Sequence, residues 1–192
     1  MEELPLFLTT FFYLIIIMDP IASIPVFLSL TKKQSQEQIK IAATKAVVIA
    51  GTLAILFLFI GPQLLNILGL SLSDLKITGG IVLILLGLEG ILGINFNKGE
   101  EDDMSTVAVL IATPILTGPG LMTAVVIMSN EVGYLITTSA IVCCLLISWL
   151  LLYNAFLIKK ILGAQIIEIS SKIVALFIMA LGVSYLRTSF GF

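Results

Sequence analysis

An acidic side chain and two prolines interrupt the first long apolar stretch of the sequence, residues 4–30. Asp19 is followed directly by Pro20, and Ser23 and Pro25 come shortly after. A carboxylate near the middle of a membrane-spanning segment costs roughly 2.5 to 3.5 kcal/mol on insertion scales, so it faces protein or water rather than lipid. Such a group can bind a cation or a substrate ammonium, or exchange a proton. Asp19 is therefore the candidate residue for coupling transport to a proton or a sodium ion.

A related segment recurs in the second half of the chain, with the same spacing of prolines and with a hydroxyl at the same place. The matching pairs are Asp19 with Thr113, Pro20 with Pro114, Ser23 with Thr117 and Pro25 with Pro119. Subtracting positions (114 − 20) gives an offset of 94, about half the chain. Two interrupted helices at corresponding places in two halves are typical of the binding site of a secondary transporter.

Each proline also follows a residue that can cap a helix. Asp19 before Pro20, and Thr113 before Pro114, read as an N-cap residue followed by proline at the first helical position. A half-helix that begins inside the membrane presents unpaired N–H groups and the positive end of its dipole, which attract a carboxylate or another anion. The alternative is that the prolines only kink their helices and that Asp19 only caps, since membrane helices tolerate proline.

The candidate substrate-binding residues are the two interruptions together with the hydroxyl and glycine residues that follow them. Glycines allow a ligand or a neighbouring backbone to approach closely. The predicted set is Asp19, Pro20, Ile21, Ala22, Ser23, Thr113, Pro114, Thr117, Gly118, Pro119 and Gly120.

Composition places these segments in a membrane protein. The chain has 192 residues, of which 59% are hydrophobic and 11% charged, and its mean hydropathy is +1.17, so it has too little polar surface for a soluble globule. The net charge of −2 without a basic cluster argues against a nucleic-acid partner. There is no histidine, and the adjacent Cys143 and Cys144 lack the spacing of a redox or zinc motif. We expect no metal, no cofactor and no enzymatic activity.

The apolar runs predict six transmembrane helices, at residues 5–30, 41–62, 76–95, 106–129, 133–158 and 166–187. These divide into a first three-helix repeat, residues 1–97, and a second, residues 98–192. Because an odd number of spans separates corresponding helices, the second repeat enters from the opposite side. The fold class is therefore all-α integral membrane, a 3+3 inverted-topology repeat with broken helices in spans 1 and 4. A weaker similarity between residues 83–87 and 178–182 agrees with this division.

Lysines predict the orientation. Eight lie in or beside the loops after spans one, three and five: Lys32, Lys33, Lys40, Lys45, Lys98, Lys159, Lys160 and Lys172. Lys76 and Arg187 fall on the other side, so the positive-inside rule places both termini outside. The acidic run at residues 100–103 lacks calcium-loop spacing and reads as a solvated loop. Glu89 in the third span lies near the cytoplasmic end, where a functional and a structural role are equally open; the glycines around it favour close helix packing.

The two proline motifs, Asp19-Pro20 with Pro25 and Pro114 with Gly118-Pro119-Gly120, give the chain a family resemblance over essentially its whole length. It resembles the MarC family of multi-pass membrane proteins, which includes small neutral amino acid transporters. The resemblance implies a six-helix protein of the prokaryotic cytoplasmic membrane, related to LysE-type exporters.

The resulting hypothesis is a secondary transporter of glycine-like or alanine-like zwitterions, held at mid-membrane between the half-helix starts of spans 1 and 4. No nucleotide-binding motif is present, so coupling would use an ion gradient. The expected partners are the substrate, the lipid bilayer and a proton or sodium ion. The alternative is a channel-like or structural membrane protein without coupled transport.

Overall fold

The computed structural model describes residues 3–32, 34–93, 116 and 118–191, and the regular structure within these ranges is helical. We number its helical segments in chain order: α1 (Glu3–Met18), α2 (Pro20–Leu30), α3 (Gln36–Leu68), α4 (Leu72–Leu92), α5 (Pro119–Glu131), α6 (Tyr134–Tyr153) and α7 (Ala155–Ser189). Within the described part, five stretches are long and apolar enough to cross a membrane: α1 with α2, α3, α4, α6 and α7. The predicted all-helical fold with several apolar helices is confirmed. The start of the predicted fourth span and the proposed repeat boundary at 97/98 lie outside the described residues.

Capping boxes determine where α3 and α4 begin. The Ser35 hydroxyl accepts a hydrogen bond from the Gln38 N–H at 3.3 Å, and Gln38 Oε1 accepts one from the Ser35 N–H at 2.9 Å. Ser71 and Asp74 form the same reciprocal pair at the start of α4. Both helices therefore begin before the predicted starts at 41 and 76. The placement of Lys40 in a loop is wrong, because it lies within α3.

Glycine and asparagine determine where helices end or bend. The C-caps of α3 and α4 are Gly69 and Gly93, each with φ 67°, a left-handed conformation that glycine adopts without strain. Gly163 interrupts α7 with φ 77° and ψ 159°. The chain also turns at Asn154, so α6 ends at Tyr153 and the predicted fifth span, 133–158, is too long at its end.

Small residues allow α4 and α7 to pack closely. A Cβ atom at Gly80 would lie 2.7 Å from the carbonyl oxygen of Gly182, and one at Gly87 would lie 2.7 Å from that of Ala175. A Cβ at Gly90 would lie 2.8 Å from the Ala175 Cβ. Such approaches need residues without side chains, as is usual where membrane helices meet. The predicted packing role of the glycines in this span is confirmed for Gly87 and Gly90.

Helices α3 and α6 pack against each other with an aromatic contact at each end. The ring of Phe59 stacks on that of Tyr134 with centroids 5.6 Å apart. At the other end, the Lys40 ammonium lies 4.9 Å from the centroid of the Tyr153 ring. Because one contact joins the end of α3 to the start of α6 and the other joins the start of α3 to the end of α6, the two helices are antiparallel.

The buried face of α3 is rich in small apolar residues, whereas large apolar side chains cover much of the exterior of the bundle. Five alanines of α3 are fully buried: Ala42, Ala43, Ala46, Ala50 and Ala54. By contrast, Leu135 is 82% exposed and Ile67 78% exposed. An exterior of large aliphatic side chains is suited to contact with lipid rather than with water.

Candidate functional site

Asp19 separates α1 from α2 with a left-handed backbone conformation, φ 36° and ψ 64°. Aspartate is one of the few non-glycine residues that adopt this conformation. Its Oδ1 accepts a hydrogen bond from the Ala22 N–H at 3.1 Å, and Pro20 is the first residue of α2. Asp19 and Pro20 thus have the predicted N-cap and first-helical positions. Oδ2 has no hydrogen-bond partner among the described residues.

Backbone hydrogen bonds continue on both sides of this junction. The Asp19 N–H donates to the Ile15 carbonyl at 3.1 Å, and the Ser23 N–H donates to the Asp19 carbonyl at 3.3 Å. The buried Ser23 hydroxyl also donates to the Asp19 carbonyl, at 3.0 Å. Among the other predicted site residues, Pro20 is buried, and Ile21 and Ala22 are half-buried. The junction is therefore a bend held by local hydrogen bonds.

The helix that ends at Glu131 begins at Pro119. Gly118 is the residue before it, with an extended backbone (φ −63°, ψ 172°) that cannot continue a helix, and no side chain caps the start. Proline suits the first helical position because it lacks an N–H and has a fixed φ. The expected start of a half-helix at Pro114 falls on residues that the structure does not describe, so it stays a prediction. The predicted site residues Thr113, Pro114 and Thr117 lie outside the described residues.

The two segments have different neighbours. Gly118 and Gly120 are buried and Pro119 is exposed. A Cβ at Gly120 would lie 2.7 Å from Leu83 Cδ2, which places this glycine against α4. Helix α5 packs mainly against α3 and α4, whereas α2 packs mainly against α7 and α6. The described contacts thus bring Asp19, Ala22 and Ser23 together, but they do not join them to Gly118 or Gly120.

Sequence reasoning missed a serine that lies beside the Asp19 junction. The buried Ser148 hydroxyl of α6 lies 3.0 Å from the sulfur of Met18, the residue before Asp19. It also donates to the carbonyl of Cys144 at 2.8 Å. The available signal was a single serine hydroxyl in the otherwise apolar second half of the span. α6 therefore contributes a polar side chain to the surroundings of the junction.

A second polar cluster, also missed, joins four helices. Lys76 of α4 forms an ion pair with Glu131 at the end of α5, with 2.6 Å between Nζ and Oε1. The rings of Tyr13 in α1 and Tyr185 in α7 are 5.8 Å apart. The Tyr185 hydroxyl is buried and has no hydrogen-bond partner within the described part of the chain. A buried hydroxyl of this kind is a potential hydrogen-bonding group for a polar ligand.

Two open clefts lie on the surface of the bundle. One, of about 540 Å³, is lined by α3: Gly51, Thr52, Ile55, Leu56, Phe59 and Ile60. The other, of about 360 Å³, is lined by Glu37, Lys40, Ile41, Thr44, Lys45 and Tyr153. Neither is lined by a described residue of the two predicted binding segments.

Comparison with known sequences gives a match over almost the whole chain. A sequence model of MarC family integral membrane proteins matches residues 4–189. A UPF0056 membrane protein of Archaeoglobus fulgidus is 30% identical, over 95% of this chain and 91% of the relative. A UPF0056 membrane protein of Aquifex aeolicus is 29% identical, over 96% of this chain and 92% of the relative. No solved structure matches the chain. Since the family match extends over 4–189 and the similarity to relatives is end to end, the chain belongs to the MarC family of integral membrane proteins.

Proposed function

We propose that this protein is a secondary transporter of small neutral amino acids, with glycine and alanine as the leading substrates. Asp19 is the residue that binds the coupling ion or the substrate ammonium. The start of α5 at Gly118 and Pro119 binds the substrate carboxylate. The protein performs transport rather than catalysis, and the coupling ion is a proton or sodium.

The observation that carries this proposal is the state of the Asp19 carboxylate. It is half-buried in an apolar helix pair, and its backbone is in a left-handed conformation. One of its oxygens is used by the Ala22 cap, and the other has no hydrogen-bond partner among the described residues. A carboxylate in this setting is costly unless it interacts with a cation or a proton. The start of α5 is complementary, because its N–H groups have no side-chain cap and favour an anion. A zwitterion carries both charges.

Paired contacts between α3 and α6 have the antiparallel geometry that the proposed inverted repeat requires. Adding the repeat offset to Lys40 and Phe59 gives Tyr134 and Tyr153, since 134 − 40 and 153 − 59 are both 94. An operation that moves each residue of one repeat onto its counterpart in the other therefore converts the contact of Lys40 with Tyr153 into the contact of Phe59 with Tyr134. Any antiparallel helix pair shows such an exchange of contacts, and a pseudo-two-fold axis between the two helices requires the pair to be antiparallel.

The contacts between α4 and α7 behave in the same way with an offset of 95. The counterpart of Gly80 is Ala175 and that of Gly87 is Gly182, since 175 − 80 and 182 − 87 are both 95. The close approach of Gly80 to Gly182 is therefore converted into that of Gly87 to Ala175. Both helix pairs are thus antiparallel, as the proposed repeat division at 1–97 and 98–192 requires.

Transport into proteoliposomes tests the proposal. We expect labelled glycine or alanine to accumulate above its external concentration when a proton or sodium gradient is imposed, and to equilibrate when the gradient is collapsed. Protein-free liposomes are the control. Flux that does not saturate and ignores both gradients would favour the channel-like alternative. Absence of flux for every small zwitterion would favour a structural membrane protein.

The proposed setting is the cytoplasmic membrane of a prokaryote, with both termini outside. Lys32, Lys40 and Lys45 lie at the end of α2 and in the first turns of α3, which the positive-inside rule places in the cytoplasm.

Cysteine labelling tests this orientation. In intact cells, a cysteine introduced at Gln36 should be protected from an impermeant thiol reagent, and one at Ser73 should be labelled. The wild-type chain, which contains Cys143 and Cys144, measures the background. Labelling at Gln36 with protection at Ser73 would reverse the orientation.

A further inference from the structure

The cleft between the start of α3 and the end of α6 combines basic, acidic, aromatic and apolar groups. Its volume is about 360 Å³, and it is lined by Glu37, Lys40, Ile41, Thr44, Lys45 and Tyr153. Five of these residues lie on one side of α3, because positions separated by three and four residues share a helix face. Tyr153 closes the cleft from α6.

Contacts between distant parts of the chain hold the walls of this cleft. The Trp149 indole N–H donates to the Thr44 hydroxyl oxygen at 3.0 Å, although the two residues are 105 positions apart. The rings of Trp149 and Tyr153 have centroids 5.0 Å apart. The Lys40 ammonium lies 4.9 Å from the Tyr153 ring centroid. The lysine and the aromatic pair are therefore positioned by the packing of α3 on α6.

The charges in the cleft favour an anion. Lys40 and Lys45 are both exposed, and Glu37 is the acidic residue in the lining. Glu37 forms no ion pair with either lysine in the part of the chain that the structure describes. Two ammonium groups opposite one carboxylate leave a net positive site.

The helix lengths place the cleft at the membrane surface. α3 has 33 residues, whereas about 20 are enough to cross the hydrocarbon core, so its ends extend beyond that core. Lys40 and Lys45 lie in its first turns. Trp149 and Tyr153 lie in the last turns of α6, and these aromatic types concentrate at the level of the lipid headgroups. Ile41, which is 42% exposed, adds an apolar wall to the charged one.

We propose that this cleft binds an anionic phospholipid, with Lys40 and Lys45 on either side of the headgroup phosphate. The Tyr153 ring and Ile41 contact the apolar part of the same molecule. The combination of two lysines with an apolar wall at headgroup depth favours a lipid over a free phosphate ion, which has no apolar part. The proposal does not depend on transport activity.

Native mass spectrometry of the full-length protein in detergent tests this site. We expect phosphatidylglycerol to bind, and phosphatidylcholine to bind more weakly. Lys40→Gln combined with Lys45→Gln should weaken phosphatidylglycerol binding about thirtyfold, which corresponds to about 1 kcal/mol for each basic residue near an anionic lipid. The matched control is Lys159→Gln with Lys160→Gln, which removes two exposed lysines of α7 and should leave binding unchanged.

A variant that is expected to strengthen binding separates the test from misfolding, because a folding defect would weaken binding. Glu37→Gln removes the carboxylate of the cleft and should strengthen phosphatidylglycerol binding. Equal weakening by the Lys159 and Lys160 control would mean bulk electrostatic attraction and would overturn the proposal. Displacement of the lipid by inorganic phosphate at matched ionic strength would overturn the lipid assignment in favour of a free anion. Equal binding of phosphatidylcholine would also overturn it.

Discussion

The starts of α2 and α5 are alike in one respect and different in another. Each begins with a proline at the first helical position, Pro20 and Pro119. At α2, the preceding residue is Asp19, which is left-handed and caps the helix with its own carboxylate. At α5, the preceding residue is Gly118, which is extended, buried and without a side chain to cap the helix.

This difference teaches how two related helix starts can have opposite charge preferences. The carboxylate at α2 already interacts with the positive end of the helix, so this start presents negative charge to a ligand. The start of α5 presents backbone N–H groups and the positive end of its dipole. Under the proposed function, the substrate ammonium belongs at the first and the substrate carboxylate at the second.

The largest effect on transport is expected from removing the charge of Asp19 at the start of α2. Asp19→Asn should abolish gradient-driven accumulation of glycine, and if Asp19 binds the ammonium, apparent affinity should fall on the order of tenfold or more. Asparagine caps helices about as well as aspartate and tolerates the left-handed conformation, so the thermal unfolding midpoint should not change. Exchange at equal concentrations distinguishes the roles, because loss of coupling alone leaves exchange intact. Wild-type accumulation in this variant would leave Asp19 with a capping role only.

An intermediate effect on transport is expected from adding a side-chain cap at Gly118, the residue before α5. In Gly118→Ser, the hydroxyl would compete with the substrate carboxylate for the same N–H groups, so the KM for glycine should rise several-fold. Stability should change by only about a few tenths of a kcal/mol, since glycine and serine caps differ little. Gly118→Ala is the matched control, because it adds the Cβ without the hydroxyl. Equal KM values for the two variants would attribute the effect to volume instead of to capping.

The smallest effect on transport is expected at Ser23. Its hydroxyl donates to the Asp19 carbonyl within the same chain segment, and it is buried. Ser23→Ala should lower the free energy of unfolding by about 0.5 to 1.5 kcal/mol and leave the KM nearly unchanged. Thermal unfolding and glycine uptake measured on one preparation check this. A rise in KM as large as that of Asp19→Asn would place the Ser23 hydroxyl in the binding site.

Features that depend on a few neighbouring residues could be predicted from the sequence. The cap of Asp19 on Ala22 and the first-helical position of Pro20 follow from chemistry within one helical turn. The close packing at Gly87 and Gly90 follows from the absence of side chains. Runs of about 20 apolar residues predict spanning helices because the thickness of the bilayer is fixed. The start at Pro119 was missed because the residue before it, Gly118, has no side chain that would mark a cap in the sequence.

The sequence by itself determined that this chain is an all-helical membrane protein, because hydropathy and capping act locally. Only the tertiary structure decided which helix faces which. The contact of Trp149 with Thr44 joins residues 105 positions apart, and the contact of Ser148 with Met18 joins residues 130 positions apart. Such pairs depend on the register and crossing of packed helices. No local preference specifies that register, because an apolar helix surface can pack in many ways and the complementarity of the whole bundle selects one of them.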